Sequence, residues 1–398
     1  MDLRESIAHQ TSFSLRLSRH VSSAASGDRN LALSPLSLHA ILSLLAAGSA
    51  GPTLAQILSA VGSPSAAGLR SLSSWSVGSV LADGSSAGGP RIAFANGLWV
   101  DSSVSLKKGF EEIVTSEYKA EAKAVDFQSQ ADEARKEINY WVDNAMNGLV
   151  KELLPPESLD SSTVLVLCNA LYFKGAWERK FDASMTEHWK FYQLNGSSVR
   201  VPFMYSREKQ FISCYNGFSV LKLPYEKGAD RRQFSMYIIL PDERDGLWNL
   251  SEILSSEPGF LDRYRPWEKV PVREFKIPRF KISFELEASE VLKGMGMVLP
   301  FSMEEADLSE MVDCSKVFRE GYNLYVSKIF HKSVIEVTEE GTEAAAATAA
   351  VMCVFASAVS SSPPVNFVAD HPFIFVIAED LTGVVLFTGH VLNPSPTG

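Results

Sequence analysis

Gly84-Ser85-Ser86-Ala87-Gly88 has the G-x-S-x-G spacing that presents a nucleophilic serine in hydrolases. That chemistry needs a buried strand before the serine and a helix after it, so that the hydroxyl stands on a sharp turn. Here Ala82-Asp83 precede the motif and Gly89-Pro90 follow it, so neither support is expected. The seven histidines are scattered, and no H-E-x-x-H, phosphate-binding loop or dinucleotide fingerprint occurs. No catalytic set, metal site or cofactor is expected, and the chain does not read as an enzyme. The four cysteines, Cys168, Cys214, Cys314 and Cys353, are far apart with no C-x-x-C pair, which excludes zinc knuckles and a dense disulfide framework. Cys168 and Cys214 stand in apolar or aromatic company and read as buried thiols.

The unusual chemistry is a stretch that carries no charge. Between Ala344 and Ala369 there is no acid, base or histidine. Ala344-Ala345-Ala346-Ala347 favours helix, whereas Val351-Met352-Cys353-Val354-Phe355 favours strand. Strands flank it, which leaves a connection of about 25 residues, and loops that long inside a compact domain are functional or disordered. Three readings stand: an Ala-rich helix opening near Thr342, a disordered linker, and an exposed loop whose residues must also fit inside a sheet. For the third, strand alternation puts Thr342, Ala344, Ala346, Thr348 and Ala350 on one face and Glu343, Ala345, Ala347 and Ala349 on the other. Side chains that small are what late entry between existing strands requires.

The elements that would position such a loop are legible in outline. Residues 1–22 read as a helix, residues 30–34 as a short strand stopped by Pro35, and Leu36–Ala47 as a second helix. Residues 62–90 give a weak helix ending in a loop. Strands are expected at Ile92–Val100, Phe211–Leu223, Phe234–Leu240, Val272–Leu286 and Leu324–Thr338, with two more at Phe373–Ala378 and Val384–Val391. Ala131–Val150 has helical spacing. Thr163–Phe173 is a continuous apolar run of strand type, buried on both faces. The 398 residues are 46% hydrophobic and 21% charged, a globular composition. No repeat or linker divides them, so one α+β domain with mostly antiparallel sheets is expected over 1–398. A net charge of −10 and a pI near 5.3 argue against a nucleic-acid partner. No apolar run is long enough for a membrane span, and the N-terminus has no signal-peptide pattern. A cytoplasmic or nucleocytoplasmic location is expected, with extracellular placement without a signal peptide as the alternative.

Glu339-Glu340-Gly341-Thr342-Glu343-Ala344-Ala345-Ala346-Ala347-Thr348-Ala349 resembles the hinge of an inhibitory serpin. Phe367–Phe373 with Leu386–Gly389 resembles the C-terminal signature of that family, Asn169–Trp177 its central strand, and Asn30–Ser37 its early strand and helix. The matches run from about residue 5 to 394, and the alanine run is similar to plant cytosolic serpins. The resemblance implies three β-sheets, eight or nine helices and an exposed reactive-centre loop over 339–367. It implies a suicide substrate: a protease cuts the loop, forms an acyl-enzyme, and is trapped when the cut loop enters the main sheet.

The same resemblance assigns roles. The scissile bond is expected after the seventeenth residue counted from Glu339, at Phe355–Ala356, with Val354 and Cys353 as neighbouring subsite residues. Phe355 suits the apolar slot of chymotrypsin-like serine proteases. A papain-like cysteine protease would read Val354 and cut after Phe355, or read Phe355 and cut after Ala356. The hinge comprises Glu339, Gly341, Thr342, Glu343, Ala344, Ala345, Ala346, Ala347 and Thr348. Ser34, Ser37, Asn169 and His331 match a polar gate under the main sheet. Trp177 and Arg279 match the point where the loop first enters, with Arg279 pairing to Glu339. Cys353 reads as a small apolar filler. The alternative is a non-inhibitory serpin with a storage or binding role. Partners are expected to be a target protease only, with no nucleic acid, no membrane and no heparin, since Arg70 and Arg91 alone are basic around residues 66–91. A monomer is expected.

Overall fold

The apolar run ending at Phe173 is a strand from Leu165 to Ala176 in the computed structural model of the chain, which describes residues 3–24, 29–257, 259–312, 323–342 and 363–395. In chain order the elements are α1 (Leu3–Ala24), β1 (Leu31–Leu33), α2 (Pro35–Ala47), α3 (Gly51–Val61), α4 (Ala66–Trp75), β2 (Arg91–Asp101), α5 (Lys108–Tyr118), β3 (Glu121–Val125), α6 (Phe127–Ala145) and β4 (Leu165–Ala176). Then come β5 (Glu187–Tyr192), β6 (Ser198–Tyr205), β7 (Gln210–Cys214), β8 (Phe218–Pro224), β9 (Phe234–Pro241), α7 (Leu247–Ser256), α8 (Phe260–Tyr264), β10 (Lys269–Val270), β11 (Val272–Pro278), β12 (Phe280–Glu287) and α9 (Ser289–Gly294). The last are β13 (Lys328–Val337), β14 (Gly341–Thr342), β15 (Val365–Val368), β16 (Phe373–Glu379) and β17 (Val385–Val391).

Three sheets result. One has six strands in the order β12-β13-β14-β4-β2-β3, one has seven in the order β1-β17-β16-β9-β8-β7-β10, and one has four in the order β15-β11-β6-β5. With the nine α-helices among the described residues, this is the α+β, three-sheet architecture that the resemblance implies. Pairing is mainly antiparallel, but β2–β3, β4–β13 and β11–β15 run parallel.

β4 explains itself. Leu165, Leu167, Leu171 and Phe173 enter the main core, while Val166, Cys168, Ala170 and Tyr172 enter a second cluster with Ile138 and Val142 of α6. Side-chain period 2 with apolar layers on both sides leaves no place for polar alternation. On the main-core side lies α2, which is apolar all round and nearly all buried, between β4 and β17. Pro35 at its first turn and Ser34 as its N-cap start it there.

Several sequence expectations need correction. Phe211–Leu223 is two strands, because Gly217, at φ 90°, and the Tyr215 N–H bond to the Phe218 carbonyl (2.9 Å) close a tight turn between β7 and β8. Val272–Leu286 is also two. The chain leaves the four-stranded sheet at Pro278, and β12 joins the six-stranded sheet as an edge strand, so one apolar alternation serves two sheets. The strand expected from Leu324 begins at Lys328; before it, Val326 N–H is taken by the Pro300 carbonyl at 2.8 Å. The weak helix over 62–90 is α4 followed by a π-helical turn, Ser76–Val80. Cys168 is buried as expected, but Cys214, at the end of β7, is exposed.

Candidate functional site

β4 and β13 are the strands between which the sheet opens. From Lys328 to Val334, β13 pairs directly and in parallel with Val166 to Tyr172 of β4. Above that point they diverge, and β14 lies between them: Thr342 is opposite Val337 on one side and Gly175 on the other, with Gly341 opposite Ala176. Two residues of a new strand are therefore already seated, antiparallel to both neighbours.

The turn that reverses the chain here is built from the acidic pair. Thr338 N–H donates to the Gly341 carbonyl at 2.8 Å and Gly341 N–H returns to the Thr338 carbonyl at 3.3 Å, leaving Glu339 and Glu340 at the tip. Gly341 has φ 149°, and a Cβ on it would stand 2.0 Å from the Gly175 carbonyl oxygen, so this close strand approach requires glycine.

Each residue around the entry point has a partner. Glu339 is buried and accepts from Thr186 Oγ1 at 2.6 Å, while Arg279 Nη1 stands farther off at 3.6 Å. The expected Arg279–Glu339 pair thus exists geometrically, but Thr186 is the nearer partner. Glu340 pairs with Lys180 at 2.6 Å, and that hydrogen bond raises the lysine's pKa. Trp177 holds the turn twice, donating its backbone N–H to Glu340 and its indole N–H to Thr338, each at 2.9 Å. Its ring stacks on Tyr225 at 4.6 Å, and the Tyr225 hydroxyl meets Thr342 Oγ1 at 2.6 Å. Burial pushes the Tyr225 phenol upward. Sequence reasoning does not single out Tyr225, Thr186 or Lys180. Tyr225 lies in an isolated bridge with Trp177, a contact with no local signature.

The four residues matched to a gate lie lower at the same sheet, in a buried polar cluster. Ser34 N–H donates to His331 Nε2 at 3.2 Å, which places the ring proton on Nδ1, and Nδ1–H donates to Asn169 Oδ1 at 3.0 Å. Ser34 Oγ donates to the Leu386 carbonyl at 2.7 Å. Ser37 reaches this cluster only through Ser34, whose carbonyl accepts from Ser37 Oγ at 3.1 Å. All four are fully buried. The structure adds Ser333, whose hydroxyl donates to the Ala32 carbonyl at 2.6 Å, and Asn96, opposite Asn169 on β2. Among the described residues, both amide atoms of Asn96 and Nδ2 of Asn169 are buried without a hydrogen-bond partner. Groups left so cost about 1–3 kcal/mol each.

Burial pushes the His331 imidazole down to about 3, and His39 and His390 down to about 4. An unfolded histidine takes its proton near 6.5, so between pH 6.5 and 4 the unfolded chain binds protons that the native chain refuses. The native state is accordingly expected to lose stability on acidification, by about 1.4 kcal/mol per pH unit and per group. Urea midpoints measured from pH 7 to 5 should fall, and His331→Gln should remove about a third of that slope, because one of three proton-refusing groups is gone. A slope unchanged by the substitution would contradict the assignment.

Glu343, Ala344, Ala345, Ala346, Ala347, Thr348, Cys353, Val354, Phe355 and Ala356 lie outside the described residues, as does Cys314. The hydrolase-like Ser86 is exposed in a short 3-10 turn, Ser85–Ala87, with no buried strand leading into it. Among the described residues no cluster of three or more histidine, cysteine or acidic side chains has metal-binding geometry, and no helix is long and apolar enough to cross a membrane.

A strand seated two residues deep in a parting sheet, above a buried polar cluster, is the arrangement that the family match accounts for. The family described as Serpin (serine protease inhibitor) matches residues 8–394, and the chain belongs to it. It is similar to Serpin-ZXA of Oryza sativa subsp. japonica, at 56% identity over 398 residues covering 99% of this chain and 98% of the relative. Its fold matches a solved Arabidopsis structure described as AtSerpin1 in the native stressed conformation, with TM-score 0.91, 50% identity and 99% of each chain covered. It also matches human thyroxine-binding globulin in complex with thyroxine, with TM-score 0.82, 25% identity and 99% of each chain covered. The expectation about enzymes is corrected in its footing: missing motifs supply no class, whereas the family description states one, an inhibitor of serine proteases.

Proposed function

We propose that the chain inhibits chymotrypsin-like serine proteases as a suicide substrate, by cleavage at Phe355–Ala356 followed by insertion of the cut segment between β4 and β13. The observation that carries this reading is β14. Carrying its register downward residue by residue puts Ala344 beside Phe173, Ala346 beside Leu171, and Thr348 between Asn169 and His331. The hydroxyl-bearing residue of the alanine run therefore falls at the one row where the parting strands carry an amide and an imidazole. On the other face Glu343 falls between Lys174 and Glu336, and Glu336 is already paired with Lys281. The sequence thus has small side chains where core positions await, and its one acid falls on the opposite face.

Family membership alone does not compel inhibition, since thyroxine-binding globulin shares the fold and its description is of thyroxine binding. The small, proline-free hinge favours the inhibitory reading. Incubation with chymotrypsin separates the two: an inhibitor gives a complex that survives boiling in detergent, and a binding protein gives fragments only. Mass spectrometry of the released peptide fixes the scissile bond. A guanidinium in an apolar slot costs several kcal/mol, so Phe355→Arg is expected to weaken inhibition of chymotrypsin by about a hundredfold or more and to create inhibition of trypsin. Unchanged chymotrypsin inhibition in this variant would place the cut elsewhere. The protein is further proposed to act as a monomer in the cytoplasm.

A further inference from the structure

The flank of the six-stranded sheet holds a cavity of about 300 Å³ that the insertion machinery does not use. It lies between the π-helical turn after α4, the first half of β2 and the ends of α5 and α6. Its apolar lining includes Val77, Leu81 and Ile92, each buried. Two cations, Arg91 and Lys119, also line it, and neither has an ion-pair partner among the described residues. The acid beside them, Asp83, accepts from Ser85 N–H at 3.1 Å, Ser85 Oγ at 2.9 Å and Ile92 N–H at 3.3 Å; despite its partial burial these bonds and the nearby Arg91 keep it ionised, so the three groups leave a net charge of +1.

The backbone around the cavity is unusual as well. Four non-glycine residues among those described have positive φ, and two of them, Lys119 at 47° and Asn147 at 52°, line this space. The π-helical turn at Ser76–Val80 forms another wall. Irregularities of both kinds gather at functional sites. The outer edge of β2 is covered by β3 only from Gly97 to Asp101, so the part that lines the cavity has no neighbouring strand there.

We propose that this cavity binds a small amphiphilic carboxylate. One negative charge would meet Arg91 and Lys119, and an apolar body the bulk of one ring or a short chain would lie on Val77, Leu81 and Ile92. The planar guanidinium fork fits a carboxylate. An apolar wall with few convergent polar groups is the usual form of a small-molecule site. The volume is too small for a nucleotide or an oligosaccharide, and two cations against one acid, a net charge of +1, disfavour an amine.

The test is calorimetric titration of the intact full-length protein, without protease, so that it is independent of the inhibitory reading. Ligands of about ten heavy atoms bind with Kd of about 1 mM when well matched. 3-Phenylpropionate and hexanoate are expected to saturate in that range, and neutral 3-phenylpropanamide to bind at least about tenfold more weakly. Arg91→Met and Lys119→Met, both on side chains at least partly exposed, should each weaken the acids by about tenfold while leaving the amide unchanged. No saturation by either acid, equal affinity for acid and amide, or affinities unmoved in both variants would each overturn the proposal.

Discussion

Thr342→Arg is expected to convert the inhibitor into a substrate. Thr342 is fully buried, its hydroxyl is held by Tyr225, and its backbone is paired on both sides. An arginine there would have to bury an unpaired charge beside an aromatic stack, at a cost of several kcal/mol. The intact chain can relieve that cost by withdrawing two residues of β14 from the sheet. The cut chain cannot, because everything after Thr342 must pass the same point. A penalty of about 3 kcal/mol in the barrier slows insertion by about a hundredfold. Deacylation then wins the competition, and chymotrypsin is expected to turn the variant over. Thr342→Ser, which keeps the hydroxyl, should still trap. The ratio of detergent-stable complex to cleaved product reads the partition directly, and a variant with arginine at this position that still traps one protease per molecule would sink the mechanism.

The asymmetry between what is legible in the sequence and what is not follows from how far apart the interacting residues are. β4 is legible because nine consecutive residues, Leu165 to Phe173, are buried and all but Asn169 are apolar or aromatic, a signal contained in the segment itself. The helix beginning at Pro35 is legible because its proline and cap are local. The break between β11 and β12 is not, because the sheet change is decided by partners elsewhere: Arg279 N–H bonds the Pro202 carbonyl at 2.9 Å, some way along the chain. The acid pair at the hinge is visible, but Thr186 and Lys180 as its partners are not, since neither sits in a pattern. Asn96 is the clearest omission. An asparagine at the centre of an apolar strand conflicts with its neighbours, and that conflict is a readable sign of a polar row crossing the sheet. Cys214 misleads because aromatic company in sequence does not ensure burial, and its strand ends there at a solvent-facing turn.

The unpartnered amides of that row bear on the second large effect. Intact protein cut once within 343–362 is expected to become far more resistant to heat. Before cleavage, seven residues of β13 pair directly with β4 in a parallel ladder, the slightly weaker kind. After cleavage, insertion replaces it with two antiparallel ladders, a net gain of about one hydrogen bond per inserted residue. For roughly ten residues at about 0.5–1.5 kcal/mol each, the total is on the order of 10 kcal/mol. Thr348 would add a hydroxyl to a row where Asn96 and Asn169 have unmet hydrogen-bonding capacity. For a chain of this length such a gain corresponds to a rise in Tm of about 12 °C. On the proposed mechanism the intact form persists only because the loop is tethered at both ends, so its unfolding temperature should depend on scan rate, as kinetic stability does. Scanning calorimetry of intact and nicked protein at two scan rates tests this, with nicked Thr342→Arg as the control in which the gain should shrink. If intact and nicked curves coincide, the severed segment does not enter the sheet, and nothing in the fold stores the work that trapping a protease requires.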